Sequence, residues 1–108
     1  MKAKDFAHIA PFDGEIERFP DWADRMTAKF GRAHPRLSDL LEWAEKEGDA
    51  ITESRERQVQ GIEGVNISRS VFDVLLERTG PKLFDKRRNA GQGRGLEFWR
   101  VLKRDFGT

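Results

Sequence analysis

Phe19-Pro20-Asp21-Trp22-Ala23-Asp24-Arg25-Met26-Thr27-Ala28-Lys29-Phe30-Gly31 decides the fold class. Its apolar residues Phe19, Trp22, Ala23, Met26 and Phe30 follow the i, i+3, i+4, i+7 spacing that lines one face of an α-helix. Pro20 suits a first helical turn, where a missing N–H removes no bond, and Gly31 reads as a stop. Downstream, a second helix is expected from Pro35 to Gly48, with Leu37, Leu40, Leu41 and Ala44 on one stripe and Trp43 partly off it. Thr52 to Gln60 holds good helix formers with almost no apolar face, so a helix there is expected to be solvated except near Val59 and Ile62. Gly61 and Gly64 then read as interruptions. Asn66 or Ser68 is a candidate cap for a helix carrying Ile67, Val71, Val74 and Leu75, widened by Phe72 and Leu76 and closed by Thr79-Gly80-Pro81. That helix is expected to be the most buried.

A short piece from Lys82 to Arg88 buries Leu83 and Phe84, the glycine-rich stretch Asn89 to Gly95 reads as a loop, and a last helix runs from Leu96 to about Phe106. Trp99, Leu102 and Phe106 line that helix at i, i+3, i+7. Upstream, Phe12-Asp13-Gly14 is a turn, and residues 1–11 read as a flexible arm packing by Phe6 or Ile9. Strand-like alternation and internal repeats are absent. The expectation is an all-α protein, a compact bundle of about five helices in a single domain over residues 1–108. Its core is expected at Phe19, Trp22, Met26, Phe30, Leu40, Leu41, Val71, Leu75, Trp99, Leu102 and Phe106.

Composition agrees with one domain: 108 residues, 37% hydrophobic and 36% charged, fall at the size where one core forms. The chain has no cysteine, which excludes disulfides, thiolate metal sites and a cysteine nucleophile. No apolar run approaches the roughly 20 residues that cross a bilayer, so no membrane partner and a cytoplasmic location are expected.

Charge is divided unevenly. Between Asp39 and Glu63 eight acids meet three bases, a net of −5; from Thr79 onward eight bases meet three acids, a net of +5. The division predicts a dipolar molecule whose two blocks meet between neighbouring copies. Lys86, Arg87, Arg88, Arg94, Arg100, Lys103 and Arg104 are the candidate nucleic-acid contacts, of the phosphate-binding kind. No catalytic constellation is legible. His8 and His34 lack a metal-binding spacing, and the carboxylates lie in mixed-sign stretches on polar helix faces. The loop Gly91-Gln92-Gly93-Arg94-Gly95 lacks both the Gly-Lys-Ser/Thr ending of a P-loop and a preceding strand, so a helix connection is the better reading. No enzyme activity, cofactor or metal is expected.

Phe12-Asp13-Gly14, then Phe19-Pro20-Asp21-Trp22, then Val74-Leu75-Leu76-Glu77-Arg78-Thr79-Gly80, and finally Gly95, Trp99, Leu102 and Phe106 stand in an order that resembles the Gag capsid region of long-terminal-repeat retrotransposons. The resemblance spans Phe12 to Phe106. It implies a small α-helical capsid domain that self-associates into a shell or virus-like particle around RNA, a structural protein rather than an enzyme. The Cys/His zinc knuckle often found in that family is absent. A helical nucleic-acid-binding or protein-interaction adaptor is the alternative, recognising its partner through the basic C-terminal third or an apolar groove.

Overall fold

In the computed structural model, which describes residues 1–107, five α-helices follow in order: α1 (Phe19–Ala33), α2 (Leu37–Lys46), α3 (Glu53–Arg78), α4 (Phe84–Ala90) and α5 (Gly95–Phe106). Short 3-10 turns occupy Ala3–Phe6, Ile16–Arg18 and Pro81–Leu83. The protein is all-α: no strand occurs among the described residues, and the one β-type pairing is an isolated bridge between Phe12 and Thr79.

α1 buries Phe19, Trp22, Ala23, Met26 and Phe30, the face that its spacing predicts. It runs through Gly31 and stops at Ala33, because His34 precedes a proline and takes an extended backbone. Gly31 instead lets α2 come close: a Cβ there would stand 3.0 Å from Ser38 Oγ. α2 begins at Leu37 rather than Pro35, after a turn in which the Arg36 N–H donates to His34 Nδ1 at 3.2 Å. Leu37, Leu40, Leu41 and Ala44 are its buried stripe.

α3 corrects the expected break at two glycines. Thr52 caps its start by accepting the Arg55 N–H at 3.1 Å. Gly61 alone leaves helical geometry, at φ 75° and ψ −178°, whereas Gly64 is buried inside the continuing helix. Val59 and Ile62 beside the kink are 42% and 58% exposed, so neither joins the core. Ser68 does not cap its own helix; its Oγ accepts the Leu96 N–H at 3.0 Å, satisfying one of the donors left open at the start of α5.

The most buried helix is α5, not α3. Every residue from Gly95 to Leu102 is buried, because α5 packs against α2, α3 and α4 at once. α4 buries none of its own residues; Leu83 before it is covered and Phe84 is 48% exposed, against the expectation that both would be buried.

The first eleven residues are seated on the core. Phe6 and Ile9 are buried, the Phe6 ring lies 4.8 Å from that of Phe30, and the Arg78 guanidinium holds the Ile9 carbonyl at 2.7 Å. The radius of gyration of 12.5 Å matches the ~13 Å of a compact domain of this length.

Candidate functional site

The quoted motifs converge. Phe12 lies within 5.3 Å of Phe19, 5.4 Å of Trp22 and 4.9 Å of Phe106, measured between ring centres, and Trp22 lies 6.0 Å from Trp99. Backbone bonds fix the same region: the Phe12 N–H donates to the Arg78 carbonyl at 2.9 Å, and the Gly80 N–H to the Phe12 carbonyl at 2.8 Å. The Phe-Asp-Gly turn, the start of α1, the end of α3 and α5 thus share one aromatic seam. Each such pair adds ~0.5–1.5 kcal/mol beyond its buried area, so the seam is first a source of stability. Trp99 Nε1 donates to Glu45 Oε1 at 2.8 Å, while Trp22 Nε1 is buried without a partner.

All eleven expected core residues lie in or against the main core, with Phe106 half-buried at its edge. The seven candidate nucleic-acid contacts fare differently. Arg100 is 6% exposed and bound to Glu97 by two bonds, Nε–Oε1 at 2.7 Å and Nη2–Oε2 at 3.0 Å. Arg94 reaches inward to Glu56 at 3.2 Å. Lys86 pairs with Asp105, Arg104 with Asp105 at 2.8 Å, and Lys103 with Glu45 at 3.7 Å. Arg100 and Arg94 are therefore corrected from phosphate contacts to interior ion-pair partners: an arginine already desolvated against a carboxylate is not offered to solvent. Arg87 and Arg88 on α4 have no acidic partner among the described residues, and Arg87 lies over the Phe84 ring at 4.7 Å.

The acidic and basic blocks consequently meet inside one chain. Glu45 of α2 touches Lys103 and Trp99 of α5, and Glu56 of α3 touches Arg94. Glu97 Oε1 also accepts the Ile51 N–H at 2.8 Å, and Arg94 Nη2 donates to the Ile51 carbonyl at 3.2 Å. In sequence Glu56 and Glu97 stand among many solvated carboxylates. Glu97 leaves a local signal, standing i, i+3 before Arg100; Glu56 leaves none, its partner being 38 positions away.

Two carboxyls are shifted in opposite directions. Burial pushes Glu56 up, against the pull of the Arg94 charge and hydrogen bond. The Arg104 hydrogen bond, aided by Lys86, pulls Asp105 down to about 2.

The glycine loop is a connection with positive φ at Gly91 and Gly93. Gly95 opens α5 where it crosses α3: a Cβ there would run into the Ser68 carbonyl, the Phe72 amide and Val71. Close helix approach, not a phosphate, accounts for it. A cleft of about 490 Å³ lies between the N-terminal arm and the start of α1, lined by Ile9, Phe12 and Trp22 beneath His8, Asp21 and Arg25. Of its three carboxylates, Asp13, Glu17 and Asp21, the first and last are each tied to an arginine, Arg18 at 2.9 Å and Arg25 at 3.0 Å. Among the described residues no group of three His, Asp or Glu is placed to hold a metal, and no helix is long and apolar enough to cross a membrane. No protein family, curated protein or solved structure matches the chain.

Proposed function

We propose that the chain is a Gag-like capsid domain, a structural protein that self-associates into a shell or particle. One observation carries the reading: of the four motif segments whose order resembles the retrotransposon capsid region, three pack on one another through Phe12, Phe19, Trp22, Trp99 and Phe106, and the fourth, Val74 to Gly80, is joined to Phe12 by backbone hydrogen bonds at Arg78 and Gly80. The cytoplasm is the compartment that this reading favours. RNA contact in this reading falls to Arg87 and Arg88, which stand outside the interior ion pairs and suit weak, sequence-tolerant phosphate binding.

Electron microscopy of the concentrated protein, with sedimentation velocity across a concentration series, tests the proposal. Shells, tubes or regular multimers are expected. A strict monomer at every concentration and salt level would overturn it. The alternative, an adaptor or nucleic-acid-binding module, draws support from the α4 surface, where exposed Phe84 stands with Arg87 and Arg88. A monomer that binds RNA or a protein partner and loses that binding in Phe84→Ala would favour it.

A further inference from the structure

The first half of α3 is attached to the core by a single buried side chain. From Glu53 to Val59 every residue is exposed except Glu56, and Gln60 is half-buried. Glu56 is 0% exposed, and its Oε1 receives Arg94 Nη1 at 3.2 Å. Its Oε2 is buried with no partner. The remaining attachments are surface contacts: Arg55 to Glu47 at 2.9 Å, Arg69 to Glu53 at 3.5 Å, and Arg36 to Gln60 at 3.0 Å. Exposed ion pairs of this kind hold weakly. Immediately beyond lies Gly61, whose φ of 75° and ψ of −178° leave helical geometry and kink the chain, and whose surroundings are open, with nothing within 4 Å of a would-be Cβ. A short helix with one buried residue, joined to the core at a glycine hinge, is free to open as a unit.

We propose that residues 53–60 form a latch that swings on Gly61, is held shut by Glu56 against Arg94, and on opening uncovers Ser68 and the Arg94 guanidinium. The inference is independent of the capsid reading, since it needs only the hinge and the buried pair.

The charge of Glu56 sets the strength of the latch. Three groups face its carboxyl: the Arg94 guanidinium from the loop before α5, the Ser68 hydroxyl from the second half of α3, and Glu53 from its own turn. Glu97 and Arg100 of α5 are bound to each other and reach the latch through the Ile51 amide. Burial outweighs the attraction of Arg94, so the closed state holds a proton on Glu56 more tightly than the open state, where the group returns to its ordinary value near 4.5. The proton therefore favours closure. As pH rises from about 4.5 through the higher closed-state value, the latch weakens, and above that value it weakens no further.

Amide hydrogen exchange of the full chain, corrected for the intrinsic pH dependence of exchange, reads the latch directly. A released segment this short unwinds, because an isolated helix of fewer than ~12 residues is marginal in water. The expected result is that protection over residues 53–60, measured against residues 65–75, falls as pH rises from about 4.5 and then levels off, by about tenfold for each unit by which closure raises Glu56. Glu56→Gln keeps the shape and removes the charge, so its profile should be flat and its neutral-pH protection higher than that of the unaltered chain. Arg94→Met should open the latch at neutral pH and close it again on acidification. Protection over 53–60 that equals that of 65–75 at every pH, or a Glu56→Gln chain that keeps the full pH slope, would overturn the proposal, even if Arg94→Met fails to fold.

Discussion

Trp99 is fully buried, lies 6.0 Å from Trp22 and 6.2 Å from Phe30, and spends its indole N–H on Glu45. Trp99→Ala should therefore lower stability by ~3–5 kcal/mol, against a total of ~5–15 kcal/mol for a domain, as read by a chemical or thermal melt. An unchanged melt would show that the ring is dispensable. Asp105 makes a pH-dependent contribution of the opposite sign to that of Glu56. Its folded-state value, pulled down to about 2 chiefly by Arg104, lies below the ordinary 3.8, so its contribution is complete above 3.8 and is lost as pH falls through about 2. Asp105→Asn should flatten the acid end of a plot of melting temperature against pH, leaving the region above pH ~5 nearly parallel to the unaltered chain. At this scale the apolar residues were legible and the charged ones were not. Trp22 and Trp99 repeat at helical spacing within their own segments, whereas Arg94 is indistinguishable from a solvated arginine until Glu56 is brought beside it.

Helix boundaries show which local signals compete successfully. The proline after His34 stops α1 where Gly31 does not, since a pre-proline residue is pushed out of helical backbone while a glycine merely weakens a helix. Gly61 and Gly64 look alike in sequence, and only the folded chain shows the first as a hinge and the second as a buried helical position. In sequence Gly95 reads as the end of a loop; in the fold it lets α5 lie against the backbone of α3. Gly95→Ala should consequently force the two helices apart and cost ~1–3 kcal/mol, the range for inserting a methyl group into a closely packed site. Gly48→Ala is the control: a Cβ there meets nothing within 4 Å, so its effect should stay within ~0.5 kcal/mol. Equal melts for the two variants would show that the α3–α5 crossing relaxes without loss.

Across the whole molecule, the two charge blocks carry opposite net charges of −5 and +5, which from sequence alone invites pairing between copies and assemblies that salt dissolves. Their placement in the fold redirects that expectation. Glu45, Glu56, Lys103 and Arg94, drawn from both blocks, are bonded within one chain, and Asp105 takes up Lys86 and Arg104 inside the basic block itself. Less of either charge is left to reach a neighbour, and each exposed pair that could form there is worth only ~0–1 kcal/mol. The surface does present apolar side chains at Ile16, Val59, Ile62 and Phe84. Burial of such groups is non-directional and is not screened, whereas residual like-charge repulsion between copies is screened over about 8–10 Å at physiological ionic strength. Association should therefore strengthen as salt is added, the reverse of the charge-pairing expectation. Sedimentation velocity of the concentrated protein from low to high salt measures the sign: a weight-average coefficient that rises with salt supports apolar contacts. One that falls would mean that pairing between copies prevails despite the internal bonds, and would return the two blocks to the assembly surface.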